Sequence, residues 1–306
     1  MIGTDFDYLR PASVGEALDM ASRHEDARFL AGGHALLPEW KLGRTRPPTL
    51  IDLGRIAELR GIEVLGGGPA PAGGAGITVR IAAMTTSAEI EHSPDIARHA
   101  PLLAEAAAVI SDPLIRNRAT LGGSLTEASP SGDWPPVVLA ADAALHLRSR
   151  DGERTIPARN FFTSDGAGRS TGSTALRQGE LLTSITVPAA DARSRSAYLK
   201  HMHPASGHAM IGVAVAATFN TDQTCHDCRI AITGTATVAT RAAGAEDRLT
   251  GSRLTPEAIQ AAADAANDGI TFSGDAFGST AYLAKLLPIY VIRALTQIAT
   301  SHTRTK

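Results

Sequence analysis

Apolar positions change their spacing along this chain, and the changes mark its elements. In SVGEALDMASRH, Val14, Ala17, Leu18 and Ala21 share one helical face, and Ser13 stands where an N-cap belongs. RFLA (Arg28 to Ala31) and TLIDLG (Thr49 to Gly54) read as strands, with ALLPEWKLG between them as a short helix or turn. That order predicts a small α/β unit over residues 1–60. GIEVLGGGPAPAGGAGITVRIAAMTT carries two β-rich runs around glycines, prolines and alanines, which predicts a hairpin with a long tip. TSAEIEHSPDIARHAPLLAEAAAVI is helical in pattern, interrupted at Pro94 and Pro101. WPPVVLAADAALHLRSRDGERTIPARNFF predicts a helix, then two strands joined at Asp151–Gly152, and GELLTSITVP the last strand of a second unit over 61–188. From Ala189 the character changes. Long β-rich runs, SAYLKHMHPASGHAMIGVAVAATFN and CRIAITGTATVATRAA, precede two helical ones, TPEAIQAAADAAND and STAYLAKLLPIYVIRALTQIAT. Strands followed by helices predict an α+β domain over 189–306, with helices on one side of an antiparallel sheet.

Two stretches interrupt this pattern with paired glycines: FLAGGHALLP (Phe29 to Pro38) and RNRATLGGSLTEASPSGDWPP (Arg116 to Pro136). A Gly-Gly step allows positive φ and can aim successive N–H groups at one point, a concavity that suits phosphate oxygens. Two such stretches could grip a pyrophosphate from both sides with no lysine or arginine; the alternative is two ordinary turns. Neither stretch has the Gly-x-Gly-x-x-Gly spacing of a Rossmann site, and no P-loop lysine is present.

Composition narrows the function classes. The chain has 306 residues, 43% apolar and 20% charged, with a net charge of -2, so nothing general favours nucleic acid or an anionic membrane. Aromatic residues are only 4%, too few to suggest base-stacking platforms. The N-terminus lacks the basic-then-apolar order of a signal peptide. The most apolar run, Thr280 to Thr300, is interrupted by Lys285 and Arg293, so no membrane span and a cytoplasmic location are expected. The two cysteines, Cys225 and Cys228, exclude a disulfide framework and a cluster held by four cysteines of this chain.

The glycine stretches carry a resemblance. DFDYLRPASVGEAL, ARFLAGGHALLPEWKLGRTRPPTLIDL and IRNRATLGGSLTEASPSGDWPPVVLAADA resemble the FAD-binding medium subunit of molybdenum hydroxylases, the xanthine dehydrogenase and carbon monoxide dehydrogenase family; GELLTSITVP and YLKHMHPASGHAMIGVAVA continue the match. The resemblance implies an α+β chain with a p-cresol methylhydroxylase/vanillyl-alcohol oxidase-type fold. FAD would lie between two α/β subdomains, and a C-terminal α+β domain would complete its site. It implies one pyrophosphate loop at Ala31, Gly32, Gly33, His34, Ala35, Leu36 and Leu37, and another at Thr120, Leu121, Gly122, Gly123 and Ser124. Asp133 would meet flavin or ribose hydroxyls, Ile110 and Leu182 would lie beside the cofactor, and Lys200 would reach the flavin region. A cation there would stabilise the reduced, anionic ring. No catalytic side chain and no metal ligand are implied. Ser124 departs from the asparagine of many members, and His208 stands where several relatives have an acidic residue. The implied function is electron transfer, from iron–sulfur clusters of a small [2Fe–2S] subunit through FAD to an external acceptor, beside a large molybdenum-cofactor subunit in a dimer of heterotrimers. Other readings are a scaffold with a relic flavin fold, or a stand-alone flavin oxidase.

Remaining residues have competing readings. Cys225 and Cys228 form C-x-x-C near His201, His203, His208 and His226, either a zinc or redox site or two ordinary thiols on a strand. Trp40 and Trp134 read as packing residues. Arg116 and Arg118 could face phosphate, solvent or local carboxylates, or a partner docked near SDPLIRNR.

Overall fold

The computed structural model describes residues 5–66, 76–163 and 173–300. The first unit holds β1 (Asp7–Leu9), α1 (Val14–Arg23), β2 (Arg28–Leu30), α2 (Leu36–Lys41) and β3 (Thr49–Asp52). Ser13 caps α1 as its position suggests, its hydroxyl accepting from Glu16 N. The three strands form a parallel sheet in the order β1-β3-β2. Val14, Ala17 and Leu18 of α1 join Ile51 and Leu53 in the core beneath it.

The hairpin follows as β4 (Ile62–Leu65) and β5 (Thr78–Ala82), paired antiparallel; the glycine-rich tip lies outside the described residues. The prolines do not kink one long helix. Each occupies the first turn of a new one, where its missing N–H costs nothing, so the segment divides into α3 (Ser87–Glu91), α4 (Pro94–His99) and α5 (Pro101–Ala108). Short helices α6 (Pro113–Arg116) and α7 (Leu121–Glu127) lead to α8 (Trp134–Ala140). Helix α7 corrects the sequence reading: Gly122 and Gly123 stand in a helical first turn capped by Thr120, and neither has positive φ. Then come β6 (Ala144–Ser149), β7 (Gly152–Pro157), β8 (Phe162–Thr163), β9 (Ser173–Thr174) and β10 (Leu181–Pro188). The strand latest in sequence is central in space: the order is β4-β5-β10-β6-β7, and β10 joins the hairpin to the strands that follow the helices.

The last unit is an antiparallel sheet, β11 (Ser194–Met202), β12 (Ala209–Phe219), β13 (Cys225–Thr233) and β14 (Thr240–Arg241), followed by α9 (Ala243–Leu249), α10 (Pro256–Asp264) and α11 (Thr280–Thr300). The sequence pattern did not show α9. Helix α11 is long and apolar enough to cross a membrane by length and composition, but Leu283, Leu287, Val291, Leu295 and Ile298 are buried and the helix packs on β11 and β12. Every residue of α8 is buried, and its other side meets β12 and β13, so one helix ties the last sheet to the middle unit.

Candidate functional site

The two glycine stretches meet. A Cβ on Gly32 would stand 2.2 Å from the carbonyl oxygen of Arg118, and one on Gly122 would stand 2.6 Å from the Cβ of Ala83. A Cβ on Gly123 would approach the Thr120 hydroxyl at 2.9 Å and Ala31 at 3.4 Å. Three of the four glycines are therefore required by close approach, not by φ. Only Gly33 has a left-handed backbone, at φ +80°.

The donors are also unevenly shared. Among the described residues, no acceptor meets the backbone N–H of Gly32, Gly33, His34, Ala35 or Leu36, whereas Leu37 donates to the Gly33 carbonyl and closes the turn. These free N–H groups at the start of α2 fit an anion. The second stretch has spent its own: Leu121 donates to Thr85 O, Gly122 to Ala83 O, Ser124 to Thr120 O and Gly123 to the Thr120 hydroxyl. The symmetrical grip expected from sequence is thus one-sided, with donors on the first stretch and a close-packed wall with the Ser124 hydroxyl on the second. The His34 side chain is exposed.

A buried polar cluster lies where α8 meets β11. Asp133 accepts from the Tyr198 hydroxyl at 2.6 Å and from Lys200 Nζ at 2.9 Å, and Lys200 also donates to Val109 O at 3.2 Å. The side chains of Asp133 and Lys200 are 7% and 3% exposed. Burial raises the Asp133 pKa, and the Lys200 charge opposes that rise. Burial, then the Asp133 charge, raise Tyr198 well above the usual phenol value. Lys200 is therefore half of a buried ion pair with Asp133, a pairing the sequence reading did not include. Ile110, one residue beyond Val109, and Leu182, beside an irregularity in β10, are both buried.

Sequence reasoning missed Tyr198, Glu105, Gly212 and Glu127. Period two was the available signal for Tyr198, since it shares a face of β11 with Lys200. Gly212 on β12 leaves room for the phenol, because a Cβ there would lie 2.6 Å from the Tyr198 hydroxyl. Glu105 accepts from Tyr198 N at 3.0 Å, and burial pushes its pKa up to about 7. Glu127 has no hydrogen-bond or ion-pair partner among the described residues, and burial, with the Glu39 charge, pushes it up to about 7 as well. A carboxyl raised in the folded state stabilises it below the unfolded value and loses that contribution as pH rises, here between about 4.5 and 7. Glu127→Gln is expected to gain on the order of 3 kcal/mol of stability above pH 7 and little near pH 4.5. Urea unfolding at both pH values checks this; equal gains at both would refute it.

The turn between α7 and α8 is pinned to the last sheet. Gly234 N and the Thr233 hydroxyl both donate to Pro130 O, and Ala209 N donates to Ser131 O. Other sequence candidates settle into structural roles. Arg116 bonds Glu91 at 2.8 Å and the carbonyls of Ile110 and Ser111, so it braces α6 and is not available for docking, while Arg118 is exposed. Trp134 is buried and donates to the Ser87 hydroxyl; Trp40 packs edge-on against Phe6. Cys225 and Cys228 are free, buried thiols in the core of the last unit. A cavity of about 550 Å³ between Phe162 and Thr240 includes no residue of either glycine stretch.

Residues 4–190 match the family described as the FAD binding domain in molybdopterin dehydrogenase, and residues 196–298 match the CO dehydrogenase flavoprotein C-terminal domain. The carbon monoxide dehydrogenase medium chain of Hydrogenophaga pseudoflava is 39% identical over 96% of this chain and 97% of its own. The nicotine 6-hydroxylase medium subunit of Paenarthrobacter nicotinovorans is 33% identical over 95% of this chain and 96% of its own. Among solved structures, carbon monoxide dehydrogenase from Hydrogenophaga pseudoflava superposes with a TM-score of 0.88 over 97% of this chain and 98% of that one, at 39% identity. The matches cover both the glycine stretches and the sheet that carries Lys200, and the chain belongs to the family of FAD-binding medium subunits of molybdopterin dehydrogenases.

Proposed function

We propose that this chain carries electrons through FAD, taking them from a small [2Fe–2S] subunit and passing them to an external acceptor. A large molybdenum-cofactor subunit would perform substrate chemistry elsewhere in a cytoplasmic dimer of heterotrimers. The observation that carries this reading is the run of free N–H groups at residues 32–36, pressed against the second glycine stretch in an FAD-subunit family member. Two cysteines cannot hold the clusters that would feed the flavin, so electrons would arrive from another chain.

Bound FAD supplies a ring that can exchange electrons singly or in pairs. The residues 31–37 would hold its pyrophosphate by backbone donors, and 120–124 would set the opposite wall, with Ser124 adding a hydroxyl. Asp133 retains acceptor capacity beyond its bonds to Tyr198 and Lys200, enough for a cofactor hydroxyl. Ile110 and Leu182 would exclude water from the ring, and Lys200, tied to Asp133 and Val109 O, would hold the Asp133 carboxylate in place at that end of the site. Purification of the tagged chain from its native source tests the assembly. Co-purifying large and small chains with molybdenum and iron support it; a lone flavoprotein that oxidises substrate directly would overturn it.

A further inference from the structure

Helix α11 turns an acid-free face outward. Its inward positions, Leu283, Leu287, Val291 and Ile298 among them, are buried on the last sheet. Tyr282, Lys285, Ile289 and Arg293, spaced by three and four residues, line the opposite side and are all exposed. Residues 280–306 contain no aspartate or glutamate, and neither Lys285 nor Arg293 meets a carboxylate among the described residues. Beside this stripe the exposed face widens into an aromatic patch. The Tyr290 and Tyr282 hydroxyls lie 3.0 Å and 3.4 Å from the two ring nitrogens of His201, which ties both phenols to β11. Met202 follows His201 on that strand, and Phe277 packs edge-on against His203, ring centres 4.5 Å apart. Met202, Phe277, Tyr282 and Ile289 are between 43% and 55% exposed, a cluster of large apolar side chains that this chain alone leaves in water. Arg293 lies over the Tyr290 ring at 5.3 Å. Aromatic, methionine and arginine side chains are the types that protein interfaces enrich.

We propose that this face docks the small [2Fe–2S] subunit, through an apolar contact centred on Tyr282 and Ile289 and ringed by carboxylates of that partner. The inference rests on the electron-transfer reading above. Three observations select the occupant. Two cations without carboxylates of their own call for an acidic partner face. A second copy of this chain does not supply one, because a two-fold axis at Ile289 sets Lys285 against the copy's Arg293, like charge on like. The third observation is position. On β11, Lys200 faces Asp133, and the next residue, His201, faces α11, so a single strand separates the cofactor end of the site from the patch. A donor seated on the patch holds its clusters close to the ring that they feed. The large subunit, whose chemistry lies elsewhere, has no such need.

The test is size-exclusion chromatography of the complex, co-expressed from its three chains, with flavin measured on the same fractions. Wild type is compared with Lys285→Glu/Arg293→Glu and with Ile289→Asp. Arg23→Glu/Arg248→Glu, which reverses two exposed charges on α1 and α9, is the control. The substituted positions are all exposed, so each isolated chain should fold and keep its flavin. Affinity for the small subunit should fall at least roughly tenfold in both α11 variants and stay at the wild-type level in the control. Raising the salt well above about 0.15 M should narrow the gap between wild type and the charge-reversed chain, because exposed charges are screened. Equal retention of the small subunit in the α11 variants and the control overturns the proposal. Loss of the large subunit with the small one retained overturns it too, as does a dimer of the isolated wild-type chain that Ile289→Asp abolishes. Loss of flavin from folded α11 variants would place this face in the cofactor site and overturn it as well. A wild-type chain that holds no FAD, or that elutes without a small subunit, rejects the underlying reading and this proposal with it, before any variant is made.

Discussion

Gly32→Ala should leave a protein that binds FAD at least roughly tenfold more weakly, though a single methyl group has been added. The new Cβ would lie 2.2 Å from Arg118 O and 3.0 Å from Arg118 C, both backbone atoms that cannot rotate away. The two glycine stretches must then separate, a strain of about 1–3 kcal/mol. Separation moves the free N–H groups of residues 32–36 off the anion they are arranged for, and each charge-assisted bond lost is worth about 1.5–3 kcal/mol, a factor of roughly ten to a hundred in affinity. Gly251→Ala is the comparison. Gly251 has φ +78° and nothing within 4 Å of its missing Cβ, and its N–H donates to Cys225 O in the last unit, so it tests backbone strain alone, away from the glycine stretches. Flavin titration of both apo-variants, with urea unfolding alongside, separates the effects. Unchanged FAD affinity in folded Gly32→Ala would remove the convergence of the stretches from the binding argument.

Lys200→Met should be the most destabilising change in the buried cluster. It leaves the Asp133 carboxylate buried with only the Tyr198 hydroxyl, and breaking one partner out of a buried pair costs about 3–5 kcal/mol. Asp133→Asn in the same chain should recover much of that loss, because the remaining group is then neutral. The double-mutant cycle by urea unfolding measures the coupling. The sign with pH is fixed too. Without Lys200, burial raises the Asp133 pKa unopposed by its main counter-charge, so the Lys200→Met protein gains from protonation at low pH and loses stability as pH rises. Additive losses in the double variant would show that the pair is not coupled.

Most elements were legible because their signals are local. Caps, period-two runs and the Asp151–Gly152 turn each act within a few residues, and Ser13, β6 and β7 fall where those signals put them. The FAD family, too, was readable from the glycine stretches. What the sequence hid was non-local. Gly122 and Gly123 look like a loop glycine pair, yet they sit in a helical turn capped by Thr120, and they are glycines because Ala83 and Thr120 leave no room for side chains. The division of donors between the two stretches depends on Thr85 O and Ala83 O, contributed from 36 and 39 residues upstream by a turn after β5. The pairing of Lys200 was hidden because Asp133 is 67 residues away in sequence. A local carboxylate was one reading of Arg116, and which one it meets, Glu91, depends on packing between segments 25 residues apart.

The central claim is that this chain is built to hold FAD, and the flavin content of the purified full chain tests it most directly. The visible spectrum should show a bound flavin, and denaturation should release FAD, not FMN, at one equivalent per chain. A folded chain that is colourless as purified, and that takes up no FAD when titrated with it, would contradict the account.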